Sequence, residues 1–211
     1  MNHFSILKFY QKTTNSLVSW INKFRPTSRG SFNTLAPRGV QEEFKAALQY
    51  AGTKPFVLDP LAEASLRYAD AYVLSTRPEM HFSEAKKEDM GIFLLNKDYS
   101  VNNIPPPAHF EWHKRIYNST SSRAILLCHP QQTVMAWKQH IKLDFSVFPS
   151  LEGKIGGFSI YHNADSEDIL PEQRVILVPD VGVFSYAEDL IKAVQQVELL
   201  EWICSVSLGL G

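Results

Sequence analysis

The sequence has little of what marks a secreted, membrane-spanning or nucleic-acid-binding protein. Only two cysteines occur in its 211 residues, Cys128 and Cys204, and both lie in apolar runs, which indicates buried thiols rather than a disulfide. No apolar run approaches the roughly 18 residues that a membrane span needs. The 21 basic and 22 acidic residues nearly balance, so charge gives no reason to expect nucleic acid as a partner. These absences predict a soluble, cytoplasmic protein.

Acidic residues are missing altogether from residues 1–41, which hold six basic residues and several aromatic ones. This composition is typical of an organellar transit peptide or of a helix on a membrane surface. It also fits an ordinary amphipathic helix and arm packed on the body, and we favour this interpretation. The predicted organisation is therefore a basic N-terminal helix and arm at 1–41 and one domain at 42–211. An organellar location is the alternative if 1–41 is a transit peptide.

Helical and strand patterns alternate through the rest of the chain. Apolar spacing predicts a helix at 40–52, and a second helix is expected at 108–117 after a run of prolines. Short β-branched or aromatic runs predict strands at 70–76, 91–96, 124–129, 156–162 and 174–179. The last helix is expected to begin at Ser185, with Glu188 completing a capping box. Helices interleaved with strands predict an α/β domain, a single sheet covered by helices. The apolar residues of the first predicted helix lie on one stripe: Phe44, Ala47, Leu48 and Ala51.

Three segments, in order, resemble the class II aldolase/adducin family. PPAHFEWHKRIY followed by RAILLCHP resembles the family's Pro-Ser-Ser-Glu helix and the strand that ends in His-x-His-Pro. RVILVPDVGVFSYAEDLIKA resembles its strand, Asn-His-Gly turn and helix, with a Val-Pro like that of fused aldolase–dehydrogenases. AEASLRY resembles its Gly-Asn-x-Ser-x-Arg stretch. The resemblance spans about residues 43 to 207 and implies a class II aldolase-like, three-layer α/β domain with a central mixed sheet. The matching residues are Ser65, Arg67, Pro106, His113, Tyr117, His129, Pro130, Gly182 and Ala193.

The chemistry that this resemblance implies is zinc-assisted aldol cleavage of a sugar phosphate. The family's zinc is held by three histidines, and the glutamate of Pro-Ser-Ser-Glu is the acid/base. In this sequence the three metal positions are Leu127, His129 and Val181, and the acid/base position is His109. Leucine and valine cannot bind zinc, and a catalytic zinc needs about three protein ligands. The resemblance therefore implies that the zinc site is degenerate.

The positions around the substrate's phosphate differ from the family pattern as well. Pro107 and Ala108 replace the two serines, which removes two hydroxyl donors. Ala62 and Glu63 replace the Gly-Asn pair, and Glu63 brings a negative charge to a place where an anion would sit. Changes on both the metal side and the phosphate side argue against an intact sugar-phosphate aldolase.

A relocated metal site is the rival interpretation. His109 and His113 are four residues apart on a predicted helix and share a face, and His129 ends a strand nearby. These three histidines could hold zinc or another divalent metal, with His109 as the catalytic residue. The ordinary interpretation of such histidines is a structural one.

Two functional hypotheses follow, and we favour the first. It is a pseudoenzyme that needs no cofactor and serves as a binding or assembly module, as the head domain of adducin does. The second is an active metal-dependent lyase, epimerase or dehydratase that acts on a sugar phosphate or related hydroxy-carbonyl compound. A fragment of an aldolase–dehydrogenase fusion is a third interpretation. The resemblance also implies a homo-oligomer, a tetramer in the family, and leaves any small-molecule ligand unknown.

Overall fold

The computed structural model describes residues 36–58, 60–97, 100–141, 143, 157–160, 169 and 172–210. The predicted basic helix and arm lies outside these residues except for 36–41, of which 38–41 already belong to the first helix. Two short 3-10 turns, at Phe82–Glu84 and Lys87–Asp89, connect the second and third strands. The elements are α1 Arg38–Ala51, β1 Glu63–Ala69, β2 Tyr72–Thr76, β3 Met90–Leu94, α2 Phe110–Ser119, β4 Ala124–Cys128, α3 Gln131–Lys138, β5 Gly157–Ile160, β6 Gln173–Val178, β7 Gly182–Ala187 and α4 Leu190–Ser207.

The seven strands form one open sheet in the order β3-β2-β1-β4-β7-β6-β5. Every neighbouring pair is antiparallel except β5 and β6, which run parallel, so the sheet is mixed. The central strand β4 shows how the layers form, because its side chains alternate between the two faces. Leu126 packs with α1 and the start of α4, whereas Ile125 and Leu127 pack with α2 on the opposite face. The predicted three-layer α/β domain is confirmed.

Helix α1 follows its hydrophobic pattern closely. The four apolar residues of the predicted stripe are all buried, and the helix ends at Gly52, as expected. Helix α2 and the five predicted strands are also present, within a few residues of the expected bounds. Local periodicity therefore located most of the elements correctly.

The predicted start of the last helix is wrong. Ser185 and Glu188 are not an N-terminal capping pair, because Ser185 lies inside β7 and is fully buried. The Ser185 hydroxyl donates to the carbonyl of Ala193 at 2.8 Å, which fastens the strand to the helix that follows. The actual cap is Asp189, whose side chain accepts a hydrogen bond from the backbone N–H of Lys192 at 2.8 Å.

The two cysteines are free and buried, as the sequence predicts. Burial raises the pKa of Cys204 to about 11 and raises that of Cys128 as well, so both thiols stay protonated near neutral pH. In the part of the chain that the structure describes, no helix has the length and apolar character needed to cross a membrane.

Candidate functional site

The first strand and the helix α2 meet at one end of the sheet, where Glu63 begins β1. Glu63 pairs in register with Leu127 near the end of β4, and Leu127 pairs with Phe184 just after the β6–β7 turn. This register brings the start of β1, the end of β4 and the β6–β7 turn together. His109 precedes the first residue of α2 and His129 follows the last residue of β4, so both histidines lie at this edge.

The Glu63 carboxylate binds His109 in two ways. The backbone N–H of His109 donates to both carboxylate oxygens, at 3.1 and 3.2 Å, and the His109 Nδ1 lies 2.9 Å from Oε1. The Glu63 side chain is only 9% exposed, whereas that of His109 is 35% exposed. Burial raises the pKa of the Glu63 carboxyl, but contacts with His113 and His109 outweigh burial and hold the pKa below its usual value.

His113 continues this cluster into the core. Its Nε2 atom lies 3.5 Å from Glu63 Oε2, an ion-pair distance that is too long for a good hydrogen bond. Its Nδ1 atom lies 2.7 Å from the hydroxyl of Ser65, which in turn lies 2.8 Å from the hydroxyl of Tyr117. All three residues of this chain of polar contacts are buried: His113, Ser65 and Tyr117. The contacts are therefore structural and connect α2 to β1.

Arg67 fastens the other end of α2 to the same strand. Its guanidinium donates to the carbonyls of Tyr117 at 3.0 Å, Thr120 at 3.3 Å and Ser122 at 2.7 Å. The last carbonyls of a helix have no partner within the helix, and a cation there also interacts favourably with the helix dipole. Ser65 and Arg67, which match the family pattern, thus hold α2 in place.

His129 is bound to the β6–β7 turn rather than to the other histidines. Its Nε2 lies 2.9 Å from the carbonyl oxygen of Val181. Because a carbonyl only accepts, Nε2 carries the proton and donates. The Nδ1 atom is buried without a hydrogen-bond partner among the described residues. Burial lowers the pKa of His129, with the Val181 carbonyl opposing this effect, so the ring is neutral near pH 7.

Glycine is required in the turn that holds His129. Gly182 has a φ of +140°, and a Cβ atom there would lie 2.8 Å from the carbonyl oxygen of Cys128 and 2.9 Å from Leu127 Cδ1. Asp180, two residues earlier, also has a positive φ of 64°, a conformation that Asp and Asn tolerate better than most residues. The backbone of this turn thus packs directly against the end of β4.

These side chains do not reproduce the family's three-histidine zinc arrangement. Leu127 is fully buried in the core between the sheet and α2, and Val181 offers only its carbonyl, which His129 already binds. Within the described ranges, no group of three or more His, Cys, Asp or Glu side chains is placed to hold a metal ion. His109 and His113 face Glu63 instead. The relocated site built from His109, His113 and His129 stays a prediction.

The partnership of Glu63 with the two histidines is the feature that sequence reasoning missed. The sequence predicts only that Glu63 places a negative charge where an anion would sit. Glu63 lies 46 residues from His109 in the chain, so no local spacing connects the two. The resemblance could have revealed this partnership, because it places both residues in the same cleft. There this chain has Glu63 at the position of the family's neutral asparagine and His109 at the position of the family's acidic glutamate.

Comparisons with known proteins agree with this architecture. The model of the class II aldolase and adducin N-terminal domain family matches residues 46–208. The chain is similar in fold to the L-fuculose-1-phosphate aldolase of Thermus thermophilus, with 19% identity, a TM-score of 0.65 and coverage of 80% of this chain and 96% of that one. It is also similar to YgbL of Klebsiella pneumoniae, with 16% identity, a TM-score of 0.69 and coverage of 82% and 90%.

A third solved structure is the N-terminal class II aldolase domain of a conserved protein from Thermoplasma acidophilum. It has 8% identity and a TM-score of 0.59 and covers 89% of this chain and 98% of that one. No curated protein matches the sequence significantly. The family model covers more than three quarters of the chain, and the fold and the retained scaffold residues agree with it. The chain therefore belongs to the class II aldolase and adducin N-terminal domain family.

Proposed function

We propose that this chain is a pseudoenzyme of the class II aldolase fold that has lost zinc-dependent aldol cleavage and serves as a binding or assembly module. The observation that carries the proposal is the state of the three metal positions. Leu127 and Val181 are aliphatic, and the remaining histidine, His129, donates its Nε2 proton to the Val181 carbonyl. The Nδ1 atom of His129 keeps its lone pair, but a single histidine nitrogen does not supply the three protein ligands that a catalytic zinc needs.

The loss of these ligands matters because aldol cleavage depends on stabilising an enediolate. In the family a bound zinc does this as a Lewis acid. A single histidine does not retain a catalytic zinc, which needs about three protein ligands. The acid/base position has changed as well, since His109 is bound by Glu63 through both its backbone N–H and its ring. The two changes together support loss of the reaction.

Zinc stoichiometry and aldol cleavage test this proposal directly. Untagged protein is incubated with zinc, desalted and analysed by mass spectrometry, and cleavage of fuculose 1-phosphate is followed in parallel. We expect less than ~0.1 zinc per chain and no cleavage above the buffer rate. About one zinc per chain that is lost in His129→Ala or His109→Ala would support the metal-dependent lyase instead. His140→Asn is the control, because His140 is exposed and its positive φ of 55° suits asparagine.

The assembly part of the proposal is a homo-oligomer, with a tetramer expected from the family resemblance. Light scattering after size-exclusion chromatography measures the mass directly against the 24.0 kDa of one chain. A mass close to four chains over a range of concentrations would support assembly. A mass of one chain at high micromolar concentration would contradict it and would leave binding of another molecule as the role of the fold.

A further inference from the structure

A groove opens between α1 and the start of α4, on the face of the sheet opposite α2. It has a volume of about 520 Å³, and Leu66 of β1 forms part of its wall. Concave apolar surface of this size is the usual shape of a binding site, for a small molecule or for side chains of equal bulk. The apolar lining residues are Phe44, Ala46, Ala47, Leu66, Leu190 and Ile191.

The charged residues that line the groove give it a negative balance. Glu43 of α1 and Asp189 at the start of α4 are acidic, and Lys192 is the basic residue among them. Lys192 is ion-paired with Glu188, which lies just before the helix. These four side chains together carry three negative charges and one positive charge. Such a groove favours an apolar occupant that has basic residues beside its apolar face.

The chain enters the body next to this groove. Ala36 is 2% exposed and belongs to the same hydrophobic cluster as Phe44 and Leu190. The side-chain amide of Gln41 donates to the carbonyl of Ala36 at 2.8 Å, which fixes where the preceding residues leave the body. Glu43 lies five residues beyond the start of α1, about 8 Å along its axis. Residues 1–35 can therefore reach the groove without a long connection.

The composition of residues 1–35 complements that of the groove. They carry five basic residues and no acidic one, which leaves a net charge of −6 on residues 36–211. The family model begins its match at residue 46, so this segment lies outside the part of the chain that the family accounts for. An amphipathic helix needs a surface for its apolar face. Five apolar residues at roughly helical spacing predict such a helix: Ile6, Phe9, Leu17, Trp20 and Ile21.

We propose that residues 1–35 dock in the groove between α1 and α4, with the apolar stripe inside it and the basic residues beside Glu43 and Asp189. The docked segment adds a helix to the layer that α1 and α4 form on this face of the sheet. The tether gives the segment a roughly millimolar concentration at the groove, so an intrinsic Kd of about 0.1 mM is enough to keep the groove mostly occupied. This inference is independent of the loss of zinc chemistry, because a chain with an intact zinc site could dock the same segment.

Thiol labelling measures whether the groove is covered. Ala46→Cys places a thiol at an exposed position of the groove, and Ser119→Cys places one at an exposed position of α2 on the opposite face. In the full chain we expect Ala46→Cys to react with iodoacetamide at least about tenfold more slowly than Ser119→Cys. Cys128 and Cys204 are fully buried, so their slow alkylation reports in every variant that the body stays folded.

Two pairs of substitutions separate the faces of the segment. The stripe variant, Leu17→Asp with Trp20→Asp, places charge in the apolar stripe and should raise the alkylation rate of Ala46→Cys about tenfold, to that of an uncovered thiol. The control variant, Asn15→Asp with Asn22→Asp, adds the same charge on the opposite face of the predicted helix and should leave the rate within about threefold. Because both rates are compared at one position, differences in thiol pKa between sites cancel.

Carbodiimide cross-linking of the wild type tests the charged contacts without any substitution. The reagent joins a lysine directly to a carboxylate, and mass spectrometry of the digest identifies the pair. We expect the lysines of residues 1–35 to be linked to Glu43 or Asp189. They should not be linked to Glu111, which is the matched control because its side chain is 78% exposed on α2.

Several results would overturn the proposal. Equal alkylation of Ala46→Cys and Ser119→Cys in the full chain would show that the groove is open. Protection that survives in the stripe variant would indicate another occupant, and protection that disappears on dilution would indicate a second copy of the chain. Equal release by the control variant would show that the apolar stripe is not the contact. If the stripe variant unfolds the body, the cross-links decide, and links to Glu111 as frequent as those to Glu43 and Asp189 refute the docking.

Discussion

Replacing Gly182 by alanine should destabilise the protein strongly, because this turn has no room for a side chain. The φ of +140° suits glycine, and forcing another residue into such a region costs about 1–3 kcal/mol. The new Cβ would also lie 2.8 Å from the Cys128 carbonyl oxygen and 2.9 Å from Leu127 Cδ1, and both residues are fully buried. Overpacking of this kind costs about a further 1–3 kcal/mol. We therefore expect a loss of roughly 2–6 kcal/mol in the free energy of unfolding.

Gly39→Ala is the matched control for this prediction. Gly39 lies in α1, and nothing described lies within 4 Å of the position that its Cβ would take. Alanine there should raise stability by about 0.5–1 kcal/mol, since glycine loses more conformational freedom on folding. Urea denaturation followed by circular dichroism measures both changes. A loss below about 1 kcal/mol in Gly182→Ala, or the same sign in both variants, would refute the reasoning about the turn.

Three further predictions concern the polar contacts around α2 and α3. Ser65→Ala removes the partner of His113 Nδ1 and one partner of Tyr117, and urea denaturation should show a loss of about 1–3 kcal/mol. Glu63 has a pKa below its ordinary value of 4.5, so its ionised form stabilises the fold above that pH. The difference in stability between the wild type and Glu63→Gln should therefore shrink as the pH falls below 4.5. Thermal melts from pH 7 downward measure this difference, and a difference that stays constant with pH would contradict the prediction. Glu201→Ala should lower stability by about 1–2 kcal/mol through loss of the α3 cap, and an unchanged urea midpoint would contradict this.

Elements with a clear local period could be predicted from the sequence, and those defined by distant partners could not. Helix α1 was located because its buried residues recur at helical spacing. Strand β1 could be recognised only as a motif. It lies between β2 and β4 and most of its residues are buried, so polar and apolar residues do not alternate regularly along it. Helix α3 was missed because its eight residues bury only Thr133 and Ala136 and its cap comes from Glu201, 68 residues away from Thr133.

The boundary between β7 and α4 shows how a local signal misleads. Ser185 followed three residues later by Glu188 has the form of a capping box, but Ser185 continues a buried strand that pairs with β4 and β6, and Glu188 lies just past the end of that strand. Tertiary pairing prevailed over the local preference, and the helix begins five residues later. The zinc site is the opposite case. The identities of Leu127 and Val181 could be judged from the resemblance alone, whereas the contacts of Glu63 needed the fold.

Strand β1 holds both ends of α2, with Glu63 at the start of the helix and Arg67 at its end. Four residues of strand span about 13 Å, and the ten residues of α2 span about 15 Å, so the two charges are spaced to match the helix. The acid meets the positive end of the helix dipole and the base meets the negative end. A helix docked in the reverse direction would bring like charges together at both ends. The order of the acid and the base along β1 thus selects the direction in which α2 lies on the sheet, whether or not these residues also bind a ligand.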